Sequence, residues 1–445
     1  MAKLKKTCLL ILVLVAAAGF LWAGGEQEAE EGSGKTVITM WKFGGPQHER
    51  EYILEQNELY MERNPGVTIE WSYQDYGTKR EKVISGHSAN QLPDIIALDG
   101  QSIPEFAEMG IIIPLDDIDA GLVSEWEENY PPEIWNTNMH EGKVYAVSTY
   151  VDATTFLAYN TKMFRDAGIT GSDGNARPPE DWAEVVSIAE KMTKDGVFGM
   201  ALPASGHNLD VNMLEGIAYR NGGRWLDDGE IVIDGTGFVD ALDLYKDLVP
   251  TAPAGYMETN FRTAAEMFFQ GKTSMVITES FAPILKAQFD VAPDFEYNLA
   301  PFPLRSSKSG RYDKASFLMT PTFAQMVTRM VKDRDAVMDF LDFWNTYEAH
   351  EGWSGSVIVG RIPTHKKSLS SETFAETYPD LAAEYEAGTL FEGALPQEGF
   401  PGLTECTQKL SVAMQEFLLT DATAQEVLDT ARDECQAVYD NATGQ

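Results

Sequence analysis

The chain has 445 residues, a formal net charge of −35 and 44% hydrophobic residues. Its length allows two domains with full cores. Its charge repels phosphate backbones and anionic lipid, which argues against nucleic acid or a membrane surface as a partner.

The opening stretch MAKLKKTCLLILVLVAAAGFLWAGG has Lys3, Lys5 and Lys6 before an apolar run at residues 8–15 and then small residues. This reads as an export signal over residues 1–23, too short for a membrane span, with cleavage after Ala18 or Ala23. A lipoprotein would have cysteine at the cleavage point, whereas Cys8 lies inside the apolar run. Without the three lysines the charge from Gly24 onward is −38. Residues 24–35, containing EQEAEEGSG, are acidic and small and read as a flexible tether. The expected location is periplasmic or otherwise extracytoplasmic.

TVITMW (36–41) is β-branched and apolar, as suits a strand buried on both faces. KFGGPQ forms a loop, and a helix follows from Glu49, with Ile53 and Tyr60 one heptad apart and Asn64-Pro65-Gly66 as its stop. Val67, Ile69 and Trp71 alternate as in a half-exposed strand. Residues 79–89 read as helix, LPDIIALDG (92–100) as a strand running into a loop, and 103–109 as a short helix ended by Gly110. Alternating strands and helices make a mainly parallel α/β sheet, whose ligand sites lie beyond the carboxyl ends of strands.

GKVYAVSTY (142–150) and TTFLAYN (154–160) read as two strands with a loop between them. Asp181 and Glu184 suggest a capping box for a helix with Trp182, Val185, Val186, Ala189 and Met192 on one face. Residues 208–249 alternate helical stretches with the turn NGGRWLDDGE. Val337, Phe340, Leu341 and Trp344 fall on one face of a strong amphipathic helix. Helices over 409–419 and 424–439 fold back at 420–423 and bring Cys406 level with Cys435. The two either form a disulfide that staples the pair or stay as separate buried thiols.

FFQGKTSMVITESF (268–281) contains Gly-Lys-Thr, the end of a phosphate-binding loop. Glu266 stands where that loop needs its first glycine, and helix precedes the motif while strand follows it, the reverse of the required order. HExxH is absent, since Tyr52 and Ser354 stand where the second histidine would follow His48-Glu49 and His350-Glu351. GWSGS (352–356) ends in serine and misses the nucleophile elbow GxSxG. Six histidines without ligand spacing give no expectation of a metal.

Taken together, ITMW, NPGVTIEW, SANQLPDIIALDG with FAEMGIIIPL, GKVYAVSTYVDATTFLAYNTKMFRDAGI, DWAEVVSIAEKMTKDGVFGM, FFQGKTSMVITESF and GRIPT run almost end to end. In this order, behind an export signal, the chain resembles the extracellular solute-binding proteins of carbohydrate ABC transporters, the family that includes maltodextrin-binding proteins. The resemblance implies a two-lobed α/β periplasmic-binding-protein fold of type II, each lobe a mainly parallel sheet flanked by helices, with a ligand cleft between. Residues 36–149 with 303–345 are expected in one lobe, and 150–302 with 346–445 in the other. It also implies a monomer without enzyme activity or cofactor, which delivers a neutral carbohydrate to permease subunits.

A sugar offers hydroxyls at its rim and C–H groups on its faces, so its site needs carboxylates or amides together with aromatic faces. The loops after strands supply Trp41, Phe43, Asp99, Gln101 and Asp152. Trp225 in NGGRWLDD, Glu279 at a strand exit, Trp353 in EGWSGS and Arg361 in GRIPT complete the candidates. In relatives the position of Phe281 is usually a tryptophan platform; phenylalanine keeps the apolar face without the indole N–H. Two other readings stand beside this one. An exported carbohydrate-active enzyme would use Asp99 and Asp152 as acid and nucleophile, and the same fold could hold a polyamine or a phosphorylated polyol.

Overall fold

The computed structural model describes residues 35–444 apart from 281, 290, 307–317, 355–360, 389 and 392–393. The signal and most of the tether, residues 1–34, lie outside the described residues, as does Phe281. In chain order the principal elements begin with β1 (Thr36–Phe43), α1 (Gln47–Arg63), β2 (Val67–Gln74), α2 (Lys79–Ser88), β3 (Ile95–Leu98) and β4 (Ala146–Asn160). Then follow α3 (Trp182–Met192), β5 (Phe198–Ala201), α4 (Asn208–Arg220), α5 (Thr236–Leu248), α6 (Phe261–Phe269), β6 (Thr273–Glu279), β7 (Tyr297–Pro301) and β8 (Leu318–Val327). The chain ends with α7 (Arg334–Trp344), β9 (Ile362–Pro363), β10 (Leu395–Pro396), α8 (Leu403–Leu419) and α9 (Ala424–Thr443).

The ten strands join in the order β2-β1-β3-β8-β4-β6-β5, with β7 and β9 also on β4 and β10 on β8. Pairing is parallel at both ends, β2-β1-β3 and β6-β5, as helix-connected strands require. The long strands β4 and β8 run antiparallel through the middle. The sequence reading breaks β4 into two strands, but its β-branched run through STYVDATT continues for 15 residues. Thr155 is the extra residue of a bulge where β6 steps from Phe156 to Thr154, and its φ of +73° is rare for a β-branched side chain.

Apolar side chains separate into packed groups at the two ends of the sheet. At one end Ile38, Trp126, Tyr150, Phe323 and Trp344 form one face, and Phe43, Val83, Ile96 and Phe106 the other. At the other end Leu157, Trp182, Trp225, Phe238 and Met414 pack under α3–α5, α8 and α9, and Ala201, Phe268 and Val276 under α6. The expected assignment of 346–391 to the second lobe needs correction. Trp353, Leu369, Phe374 and Leu390 join the group of Ile38, because β9 pairs with β4 at Tyr150 and Val151, on that side of the crossing. Phe400 and the helices α8 and α9 belong to the second group.

Local chemistry explains most element ends. The α3 N-cap Asp181 accepts from the Glu184 N–H, but Glu184 reaches Arg177 and the Glu180 N–H instead of closing a capping box. The buried face of α3 is Trp182, Val185, Ile188, Ala189 and Met192, with Val186 only partly covered. FFQGKTS is a helix stop: Gly271 takes φ +71°, its N–H donates to the Phe268 carbonyl, and the Lys272 N–H donates to the Met267 carbonyl. Thr423 and Glu426 form a capping box at the start of α9. Cys406 and Cys435 face each other as two free buried thiols, each Sγ 3.7 Å from the other's backbone carbonyl, so no disulfide staples this pair here.

Candidate functional site

A cleft of about 590 Å³ opens between the two sets of packed elements, within the usual range for small-molecule sites. From the β1–β3 end it is lined by residues within 42–49, 73–81 and 99–105, at and just beyond the carboxyl ends of those strands. From the other end come Leu209 and Asn212 of α4, Phe261 and Arg262 of α6, and Phe400, Leu403 and Thr407. The crossing strands supply the floor through Tyr150, Asp152, Thr154, Thr320 and Thr322.

A buried ion network lies in that floor. Lys42 contacts Glu49 at 3.0 Å and donates to the carbonyls of Phe43 at 2.8 Å and Gly44 at 3.2 Å. Tyr150 donates to Glu49 at 3.0 Å, and Arg361 reaches the other Glu49 oxygen at 3.5 Å. Arg361 also donates to Asp152, whose second oxygen accepts from Thr322 at 3.2 Å. Burial alone would raise the Glu49 pKa, but the Lys42 and Arg361 charges override it and hold the group below its ordinary value. For Asp152 burial wins over Arg361, and the pKa is raised.

Gly45 makes this network possible. Its φ is +99°, and a Cβ there would stand 2.6 Å from Glu49 Oε1. Gly45→Ala is expected to cost about 2–3 kcal/mol, combining backbone strain with displacement of the carboxylate from Lys42. Urea unfolding checks this against Gly66→Ala, where a Cβ meets nothing within 4 Å and a change under about 0.5 kcal/mol is expected.

A second polar corner surrounds Asp99, which accepts from Lys79 and, at 3.0 Å, from the Tyr76 hydroxyl. Next to it Arg80 donates to Glu105 at 2.6 Å and 2.9 Å. Across the cleft, Thr320 donates to the Gln397 carbonyl oxygen, and the Gln397 amide donates to the buried Glu215 at 3.0 Å. Burial pushes the Glu215 carboxyl up to about 8.

Residues 45–351 match the family described as bacterial extracellular solute-binding proteins. The chain belongs to this family. A Brucella abortus relative named only as a binding protein is 23% identical over 400 residues, 87% of this chain and 89% of its own. The maltotriose-binding protein of Pyrococcus abyssi is 26% identical over 204 residues, 45% of this chain and 40% of its own. Among solved structures, a solute-binding protein of an ABC transporter from Thermotoga lettingae, bound with alpha-D-tagatose, is similar at a TM-score of 0.74. It is 20% identical, and the match covers 91% of this chain and all of that one. The two-lobed α/β fold is therefore that of the solute-binding proteins, whose family places them outside the cytoplasm.

Within this solute-binding protein the cleft brings together Phe43, Asp99, Gln101, Asp152, Glu279 and Arg361. Three of the predicted aromatic platforms are corrected. Trp41 turns away onto α2, where Gly86 leaves room for its ring and Lys82 stands over it at 5.1 Å. Trp225 is fully buried between Phe238 and Phe400, because the Gly-rich turn folds its indole back onto α5. Trp353 sits on the helix Tyr347–Ser354, packed on Tyr52 and Tyr150 at 4.7 Å and 4.8 Å. Among the described residues the phenylalanines and tyrosines that line the cleft are Phe43, Tyr73, Tyr76, Tyr150, Phe261 and Phe400. Tyr76 carries a signal like that of Trp225, an aromatic in a glycine-containing turn, since it precedes Gly77 just after β2. Glu49 and Lys42 carried no such signal. Among the described residues no group of His, Cys, Asp and Glu could hold a metal ion, and no helix is long and apolar enough to cross a membrane.

Proposed function

We propose that this solute-binding protein captures a neutral mono- or oligosaccharide in the cleft and delivers it to the permease of an ABC importer. One observation carries the reading. Of the cleft's lysines and arginines, Lys42, Lys79, Arg80 and Arg361 each already face a carboxylate of the protein, and Arg262 stands apart from them, donating to the Gln288 side chain at 2.6 Å. A phosphorylated ligand would want clustered, uncovered Arg and Lys. Polar groups fixed by one another, set among the faces of Tyr76, Phe261 and Phe400, suit the hydroxyls and C–H faces of a sugar. The maltotriose and tagatose named for the relatives support the same class.

In this reading Asp99, Gln101, Asp152, Glu279 and Arg361 contact the sugar, and Tyr76 and Phe400 take the part expected of the tryptophans. Sugar touching both sides favours closure about the crossing strands; a swing from mostly open to mostly closed needs about 5.5 kcal/mol of differential affinity. Capture without hydrolysis fits the engagement of Asp99 by Lys79 and of Asp152 by Arg361, since neither is left as an acid–nucleophile pair. The protein acts as an exported monomer, its signal being residues 1–23.

Thermal unfolding against a panel of mono- and oligosaccharides, polyols and polyamines tests this. A sugar at a hundredfold excess over its Kd should add about 2.7 kcal/mol of stability, with little dependence on salt and with the sugar recovered intact. A panel in which only polyamines shift the transition, steeply weakened by salt, would remove the neutral-sugar reading.

A further inference from the structure

Glu279 ends β6 just past the bulge at Thr155, so its carboxyl lies against the cleft floor instead of continuing the ladder register. It is 2% exposed, and its Oε1 has no hydrogen-bond partner among the described residues. Three acidic groups therefore meet in this floor: Glu49, Asp152 and Glu279. The cations there are Lys42 and Arg361, and these already contact Glu49 and Asp152. Glu279 is the third carboxyl, facing Asp152 from β4, Arg361 from the segment before β9 and Asp210 from α4.

We propose that Glu279 is the proton donor of the cleft, giving its O–H to an oxygen of the bound ligand, so that capture weakens as the pH rises. This rests on the carbohydrate reading above. A neutral carboxyl has one donor and keeps an acceptor on its other oxygen, which matches a sugar hydroxyl that both accepts and donates. The ionised form would offer acceptors only and would add a charge beside Asp152. Burial first, then the Asp152 charge, keeps the Glu279 pKa well above 4.5, with Arg361 opposing. A carboxylic acid held neutral in an apolar site so that it can donate is an established device of enzyme sites.

The sign follows from linkage. Stability from holding the proton is complete below the ordinary pKa of 4.5 and is lost as pH rises through the folded-state value. Burial also raises Glu215, to about 8, so the comparison with Glu279→Gln isolates the group of interest.

The mature chain and Glu279→Gln are titrated by calorimetry from about pH 6 to about pH 9.5 with the panel sugar that binds most tightly, maltotriose and D-tagatose included. Unfolding midpoints of the ligand-free proteins are measured over the same range. Wild-type affinity should fall roughly tenfold per pH unit once Glu279 ionises, as loss of one proton requires. Glu279→Gln cannot ionise, so its profile should lack that fall, and without ligand its stability should gain on wild type as pH rises. Parallel profiles for the two proteins, with a sugar bound in both, would overturn the donor role alone. Absence of any sugar binding at every pH would sink the carbohydrate reading, and the donor role with it.

Discussion

Replacing Arg361 by methionine is expected to destabilise the protein by about 3–5 kcal/mol, the usual cost of breaking a buried ion pair from one side. The side chain is 10% exposed, and its guanidinium holds Asp152 and Glu49 at once. Without it Asp152 keeps, among the described residues, the Thr322 hydroxyl, and Glu49 keeps Lys42 and Tyr150. Arg361→Lys should recover little, because an ammonium cannot span two carboxylates as the planar fork does. Urea unfolding near neutral pH measures the loss. The gap between wild type and Arg361→Met should narrow in acid. The lowered Glu49 pKa gives stability that is present above 4.5 and is lost as pH falls through the folded-state value, so acid weakens the network in wild type as well. A difference under about 1 kcal/mol near neutral pH would mean that solvent reaches this floor and that the pairs behave as surface ones. Sugar binding should fall with stability, since Asp152 and Arg361 fix each other's geometry.

What the sequence discloses here is local. The Val337–Trp344 face, the stop at Gly271, and the turn between α8 and α9 follow from periodicity and backbone preference, and the helices form there. The strand exits that carry Asp99 and Glu279 could also be read, since a loop after a parallel strand points at a cleft in any such sheet. Contacts over long separations were not legible. Arg361 meets Asp152 and Glu49 across 209 and 312 residues, and no local spacing encodes those encounters. The same limit explains the tryptophans. A Gly-rich turn shows that the chain bends at Trp225, but the direction of the indole depends on how α4 and α5 pack, and there the ring fills a space beside Phe238. The sequence pattern places Asp152 in a loop between two strands. In a strand whose floor carries Arg361, that polar residue is an interior partner, and the strand continues through it.

Trp225→Ala should show which role the ring plays. As a platform in the cleft, its loss would abolish sugar binding and leave stability nearly unchanged. As a fully buried side chain packed on Phe238 and Phe400, its loss should cost about 3–5 kcal/mol, the range for removing a large aromatic from a core. Phe400 is half of that packing and also lines the cleft, so some loss of affinity is expected as well, transmitted through a ring that has lost its support. Trp225→Phe separates the two effects. It keeps most of the volume behind Phe400 and removes the indole N–H, which faces the buried Glu215 carboxyl. Its affinity should therefore return close to wild type while stability recovers most of the deficit. Calorimetry with the panel sugar, run well below the unfolding midpoint of Trp225→Ala, reads affinity without interference from unfolding. If Trp225→Phe binds as poorly as Trp225→Ala while its stability matches wild type, the indole itself reaches the ligand, and the packed position of this ring is not the one the sugar meets.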